Sequence, residues 1–288
     1  MKRCARMVYE LFRDSAKGFI ADEVTRKAAS LAYYTLFSLA PLLIISIAVA
    51  GAFFGADAAR GEIIAQVRGL VGDEAAIAIE GMLRNASRPE ASAWAAVIGF
   101  ATLIFGATTA FAELKLGLDQ IWEAPPAKTQ GIWYTIRTRL LSFGVILSVG
   151  FLLLVSLVFS AAVSALQNVW LLQESTGLVL QAVNLALSFV LVAAMFAMLY
   201  KLLPSVRIAW RDVIIGSLVT ALLFSVGKFF IGLYLGHSAV SSSYGAAGAV
   251  ILILLWVYYS ALIFLFGAEF TKAFARRHGS HAAAVPTP

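Results

Sequence analysis

Lys228 stands well inside an apolar stretch of this 288-residue sequence, Val213–Gly236. A charge at such depth in a membrane is costly, which makes it a functional candidate by default. Lys228 precedes Gly236 by eight residues, about 12 Å of helix at 1.5 Å per residue. A lysine stem recovers several ångströms by snorkelling. One reading therefore has it reaching outer headgroups or an acid of the outer loop, and the other makes it a cationic cavity site suited to a phosphate-like anion. Glu113 and Glu269 fall at the inner ends of their apolar stretches, each with a lysine (Lys115, Lys272) within one turn. Local ion pairs or headgroup contacts compete with any role in a polar path. Gln181 and Asn184, at an outer end, either line such a path or lie among headgroups. Pro41 removes a helix hydrogen bond within the first stretch and is expected to kink it. Backbone freed at that depth needs protein or water beside it.

Catalytic patterns are missing. There is no Gly-x-x-x-x-Gly-Lys-Ser/Thr phosphate loop, no His-Glu-x-x-His pair and no Gly-x-Ser-x-Gly elbow. The single cysteine, Cys4, excludes a disulfide scaffold or a multi-cysteine metal site. The three histidines are His237, His278 and His281; the last two share a polar tail where a chance pairing is the simpler explanation. The expectation is no enzyme, no metal and no cofactor.

The elements that position these residues follow from composition. The chain is 61% hydrophobic and 13% charged, with mean hydropathy +0.86. Soluble domains carry roughly 25% charged residues, so the excess apolar surface must face lipid. Six stretches meet the length of a membrane helix: Leu31–Phe53, Ala93–Ala112, Leu140–Ala165, Leu178–Leu199, Val213–Gly236 and Gly248–Glu269. Being continuous rather than alternating, they read as helices and not barrel strands. The fold class expected is an all-α integral membrane protein of six spans.

Charge orients them. Lys and Arg number seven in residues 1–30, four in 114–139, three in 200–212 and three in 270–288. The opposite face has only Arg60, Arg68, Arg84 and Arg88. Basic residues mark the cytoplasmic side, which puts both termini in the cytoplasm. The net charge of +6 is then a product of topology and calls for anionic lipid, not nucleic acid. Thirty residues precede the first span, which does not fit a cleaved signal peptide.

Outside the spans, Met7, Val8, Leu11, Phe12, Ser15 and Phe19 share one face of a helix over residues 3–20, with Lys2, Arg3, Arg6, Arg13 and Lys17 on or beside the other. Such a helix either lies on the inner leaflet or packs under the bundle, and the two are compatible. The outer loop 54–92 shows helical spacing at Ile63, Ile64, Val67, Leu70 and Val71, and again at Ile79, Met82 and Leu83. The second span should run on through Leu114, Leu118, Ile121 and Trp122 until Pro125-Pro126. Gly51-x-x-x-Gly55 and Gly232-x-x-x-Gly236 have helix-contact spacing. Residues 1–275 form one expected membrane domain, and 276–288 a disordered cytoplasmic tail.

Several strings together resemble the YihY/BrkB family of bacterial inner-membrane proteins, historically labelled ribonuclease BN. They are Lys27-Ala28-Ala29-Ser30-Leu31-Ala32-Tyr33-Tyr34-Thr35-Leu36-Phe37-Ser38-Leu39-Ala40-Pro41, Phe105-Gly106-Ala107-Thr108-Thr109-Ala110-Phe111 with Ile121-Trp122, and Tyr200-Lys201-Leu202-Leu203-Pro204 with Trp210-Arg211-Asp212 and Gly216. Gly227-Lys228, Tyr244-Gly245, Leu255-Trp256-Val257-Tyr258-Tyr259 and Gly267-Ala268-Glu269 complete the set. The resemblance implies a six-helix inner-membrane protein linked to envelope integrity and serum resistance. One relative is associated with export of a lipopolysaccharide precursor. The nuclease label finds no His/Asp cluster here. The preferred expectation is a conduit for lipids or another amphipathic envelope molecule, without its own ATPase. Lys228, Pro41, Tyr34, Tyr244, Gln181 and Asn184 are its candidate cavity residues, and membrane lipids its partners. The alternative is a non-transporting scaffold for an envelope protein partner. Oligomeric state and substrate identity are not encoded legibly.

Overall fold

A computed structural model describes residues 2–55, scattered positions between 57 and 81, and residues 93–125, 174–237 and 246–279. Among these residues the secondary structure is helical. The long helices are α1 (Lys2–Ala21), α2 (Val24–Phe54), α3 (Ala93–Ile121), α4 (Glu174–Leu202), α5 (Trp210–His237) and α6 (Ala246–His278). Five of the six expected spans fall within α2 to α6, and the third, Leu140–Ala165, lies outside the described residues. Among the described residues, three segments are long and apolar enough to cross a membrane: Leu185–Leu202, Trp210–Phe230 and Ile253–His278.

The ends of the helices have local causes. Glu23 adopts a left-handed conformation (φ 48°) between α1 and α2, and its carboxylate pairs with Arg26 at 2.7 Å. α2 continues as helix through Pro41 and stops at Gly55, whose φ of 89° suits glycine and whose N–H donates to the Gly51 carbonyl at 2.9 Å. α3 stops before the prolines. Glu123 is left-handed (φ 51°), its N–H donates to the Gln120 carbonyl at 3.0 Å, and the Ala124 N–H donates to the Asp119 carbonyl at 2.8 Å. This is the Schellman arrangement, with glutamate where glycine is usual.

The contacts define two compact units. One comprises residues 1–22, 117–225 and 264–288; the other comprises 23–116 and 226–263. In the first, α4, α5 and α6 pack around the fully buried Tyr200. Its ring stacks on Phe264 (centroids 5.0 Å) and Phe196 (6.4 Å). On the outside of α5 in this unit, Ile214, Leu218 and Leu222 recur every fourth residue and remain exposed. An exposed apolar stripe of that period suits lipid. The inward face carries Val213, Gly216, Ser217, Thr220 and Ala221, all buried.

α5 and α6 cross where both have a glycine four residues before a threonine. A Cβ at Gly216 would overlap the Thr271 hydroxyl, and one at Gly267 would overlap those of Thr220 and Tyr200. Each threonine donates within its own helix, Thr220 to the Gly216 carbonyl at 2.8 Å and Thr271 to the Gly267 carbonyl at 2.7 Å. The pairs run in opposite chain directions, so the crossing is antiparallel. Close approach at small residues is the packing route available to helices in lipid.

In the second unit, Val24, Ala28, Leu31 and Ala32 of α2 are buried, as are Ile253, Trp256 and Ala261 of α6. Within the expected outer loop, positions 63–65 and 79–81 are helical, with Ile64 and Ile79 buried. Gly69, Leu70, Val71, Gly72, Met82 and Leu83 lie outside the described residues.

Candidate functional site

The expected cavity residues do not form one described cluster. Lys228 is half-buried on α5, one residue after Gly227, whose missing side chain is replaced by the phenol of Tyr259 on α6. Tyr34 is half-buried on α2, its ring edge-on to Tyr33 at 5.5 Å. Glu113 is half-buried on α3. Gln181 and Asn184 are in α4, and Gly232 and Gly236 in α5, but their surroundings lie outside the description, as does Tyr244. Gly51 lies within α2, and Gly55 ends that helix with no atom within 4 Å of the place a Cβ would take.

The densest polar assembly is instead at the C-terminal end of α6. Glu269 is 2% exposed and Lys272 is 9% exposed. Lys272 Nζ lies 3.1 Å from a Glu123 carboxylate oxygen and 3.9 Å from one of Asp22. Arg276 donates to the other Glu123 oxygen at 2.7 Å. One turn of α6 thus collects the ends of α1 and α3. The hydrogen bond from Lys272, helped by Arg276 and opposed by partial burial, holds the Glu123 carboxyl below its usual range.

α1 is laid across the last three turns of α6. Phe12 contacts Phe266 and Phe270 at 6.2 and 5.4 Å between centroids, and Phe19 contacts Phe266 at 6.1 Å. Leu11 and Ser15 are buried beside them. The apolar face expected to meet either lipid or the bundle is therefore used in part on protein, while Val8 and the outer part of Phe12 on that face, and Tyr9 and Ile20 beside it, remain exposed. Arg277 pairs with both acids of α1, donating to Glu10 at 2.6 Å and to Asp14. Arg277 and Arg6 hold Glu10 below the usual carboxylate range. Burial alone would raise Asp14, but Arg277 and Arg13 outweigh it and hold it low. Arg276 and Arg277, placed by sequence in a disordered tail, are in the last helical turn, where these carboxylates fix them. His278 stacks on Phe274 at 5.9 Å.

Two further contacts close this end. The Ser205 N–H and hydroxyl donate to the two Asp119 oxygens at 2.6 and 2.9 Å. Lys201 donates to the Ile208 carbonyl and lies 5.3 Å from the Trp210 ring centroid, a distance suited to a cation–π contact.

A family model described as virulence factor BrkB matches residues 15–287. The chain belongs to the BrkB family. The UPF0761 membrane protein Smlt0865 of Stenotrophomonas maltophilia is 28% identical over 258 residues, covering 89% of this chain and 59% of that protein. A UPF0761 membrane protein of Pseudoalteromonas translucida is 28% identical, covering 88% of this chain and 81% of its own length. One of Rhodospirillum centenum is 31% identical over 85% of this chain and 52% of its own. The BrkB-family chain thus spans little more than half the length of some relatives. No solved structure matches it. It is a membrane protein by relatives and by its apolar helices.

Sequence reasoning named Glu269, and Tyr200 only as part of a family string, but missed Arg277, Glu123 and the two threonines. Among those missed, the threonines had a usable signal, a glycine four residues before a threonine in or just beyond two neighbouring spans. Among the described residues no group of three or more His, Cys, Asp or Glu side chains could hold a metal.

Proposed function

We propose that this BrkB-family chain is a six-span protein of the bacterial inner membrane, both termini cytoplasmic, with residues 1–275 as one membrane domain. It serves as a conduit for a lipid or another amphipathic, anionic envelope molecule and has no ATPase of its own. The observation that carries the reading is Lys228, half-buried in a segment, Trp210–Phe230, of mean hydropathy 2.0. An ammonium kept at that depth favours an anionic headgroup over any neutral cargo. The basic bias of one face supports the orientation.

Mass spectrometry of lipids retained by gently purified protein tests it. Native protein should retain anionic lipid, and Lys228→Met should retain markedly less at equal yield. Equal retention by both would remove Lys228 from the site and leave the scaffold reading. A C-terminal reporter active only outside the cytoplasm would overturn the orientation.

A further inference from the structure

The residues of α1 fall into three sectors around its axis when successive positions are turned by about 100°. One sector is closed by protein. Leu11 and Ser15 are buried there, and the backbone at Gly18 walls the Glu269 carboxylate with no room for a Cβ between them. The next sector is an exposed apolar arc of Val8, Phe12, Ala16, Tyr9 and Ile20, about 120° wide. Ile20 is 77% exposed and Tyr9 67%, so the arc is turned away from the described protein. The third sector is charged and sorted by sign. Arg13, Arg6 and Lys17 follow Ile20 around the helix, all exposed. Glu10 and Asp14 come after them, on the side where Arg277 of α6 holds both. The cations therefore border the apolar arc, and the acids border the protein.

The level of α1 in the membrane follows from what it touches. Phe12 and Phe19 pack on Phe266 and Phe270. Both partners lie within Ile253–His278, a segment long and apolar enough to cross a membrane. A helix fastened near the end of a span, with an apolar arc beside a basic edge, has the build of one lying in the interface: the arc among acyl chains, the cations among headgroups. The basic edge suits a phosphate. An arginine carries five N–H donors. Among the described contacts Arg6 uses its Nε on Glu10, and Arg13 its Nε and one terminal nitrogen on Asp14. Lipid is already present at this level, so the arc needs no further partner to cover it.

We propose that the outward side of α1 is a binding surface for anionic membrane lipid. Val8, Tyr9, Phe12 and Ile20 meet acyl chains, and Arg6, Arg13 and Lys17 meet headgroup phosphates. The surface is separate from Lys228 and does not depend on the conduit reading.

Two measurements on the full chain in lipid discs containing phosphatidylglycerol test it. Cys4→Ser removes the single cysteine, so a spin label can be placed at Ile20→Cys or at Ala21→Cys, the latter exposed on the charged sector. The label at position 20 should collide more with oxygen, which concentrates among acyl chains, than with a water-soluble nickel chelate. The label at position 21 should do the reverse. In the second measurement, a photoactivatable phosphatidylglycerol should be captured on α1 peptides in preference to the matching phosphatidylcholine. Each cation near an anionic surface contributes about 1 kcal/mol, so Arg6→Gln, Arg13→Gln and Lys17→Gln together should cut that preference by about fivefold or more. Capture is read on α1 peptides alone, so the result stands apart from lipid retention at Lys228. A water-exposed label at position 20 would overturn the surface, and a label shielded from both agents would overturn it in favour of a protein contact. An undiminished preference in the triple variant would overturn the anionic headgroup as its ligand.

Discussion

Gly216 of α5 and Thr271 of α6 share one space, the threonine hydroxyl filling the place of the glycine's absent side chain. Four residues on, the roles reverse, with Thr220 set against Gly267. The crossing therefore tolerates one side chain per pair and no more. Gly216→Ala should destabilise the protein by about 1–3 kcal/mol, the usual range for overpacking. Thermal unfolding in detergent would measure it, and an unchanged midpoint would deny the interlock.

Tyr200 donates to the Phe264 carbonyl at 2.7 Å and lies 3.0 Å from the Thr220 hydroxyl oxygen. Tyr200→Phe keeps the stacked ring and removes only these polar contacts. The loss should be about 0.5–1.5 kcal/mol, smaller than that of Gly216→Ala. A larger loss for Tyr200→Phe would mean that the hydroxyl, not the small-residue contact, sets this crossing.

Docking of α1 has an apolar part and an ionic part, and their sizes differ. Phe12→Ala removes a partly exposed ring from Phe266 and Phe270 and should cost about 1–2 kcal/mol. Arg277→Ala breaks surface pairs, which hold only weakly in water. Hydrogen exchange in α1 should rise more in Phe12→Ala, and only the arginine's contribution should fade in salt.

Acid gives that ionic part a signature. Glu10 and Asp14 are held below the ordinary carboxylate range, so the folded form binds their protons less readily than the unfolded chain. Their contribution is fully present above about pH 5 and is lost only as pH falls through the lowered values, below about pH 4. Protection of the α1 amides, taken relative to the intrinsic exchange rate at each pH, should be flat from neutral pH to about pH 5 and fall below it. Arg277→Ala should flatten that fall.

Glu123 combines a strained backbone with a useful side chain. Glu123→Ala loses the pairs with Lys272 and Arg276 and keeps the left-handed conformation, while Glu123→Gly loses the pairs and relieves the strain. The glycine variant should therefore be more stable than the alanine variant by about 1 kcal/mol. Equal stabilities would show that the corner relaxes.

Hydropathy made most of the helices legible, because a span is a local property of some twenty consecutive residues. Ala93–Ala112 with its run-on to Trp122 corresponds to α3, and Val213–Gly236 lies inside α5. What stayed hidden was pairing across distance. Nothing within residues 2–21 announces that Glu10 and Asp14 belong to Arg277, which is 267 and 263 positions away. Gly55 matched a contact motif but ends a helix, since the motif counts spacing and ignores where the helix stops. Glu269 was visible as an acid at a span end, but its glycine wall was not.

The wide separation of α1 from its partner has a consequence for synthesis. α1 leaves the ribosome well before the last turns of α6, and Glu123 likewise precedes Arg276 by 153 residues. Until α6 emerges, Phe12 and Phe19 have no ring to meet and Glu10 and Asp14 no arginine. During that interval the apolar face of α1 is available to the membrane surface or to a chaperone. α1, made before α6, therefore finds its place only after α6 has been made.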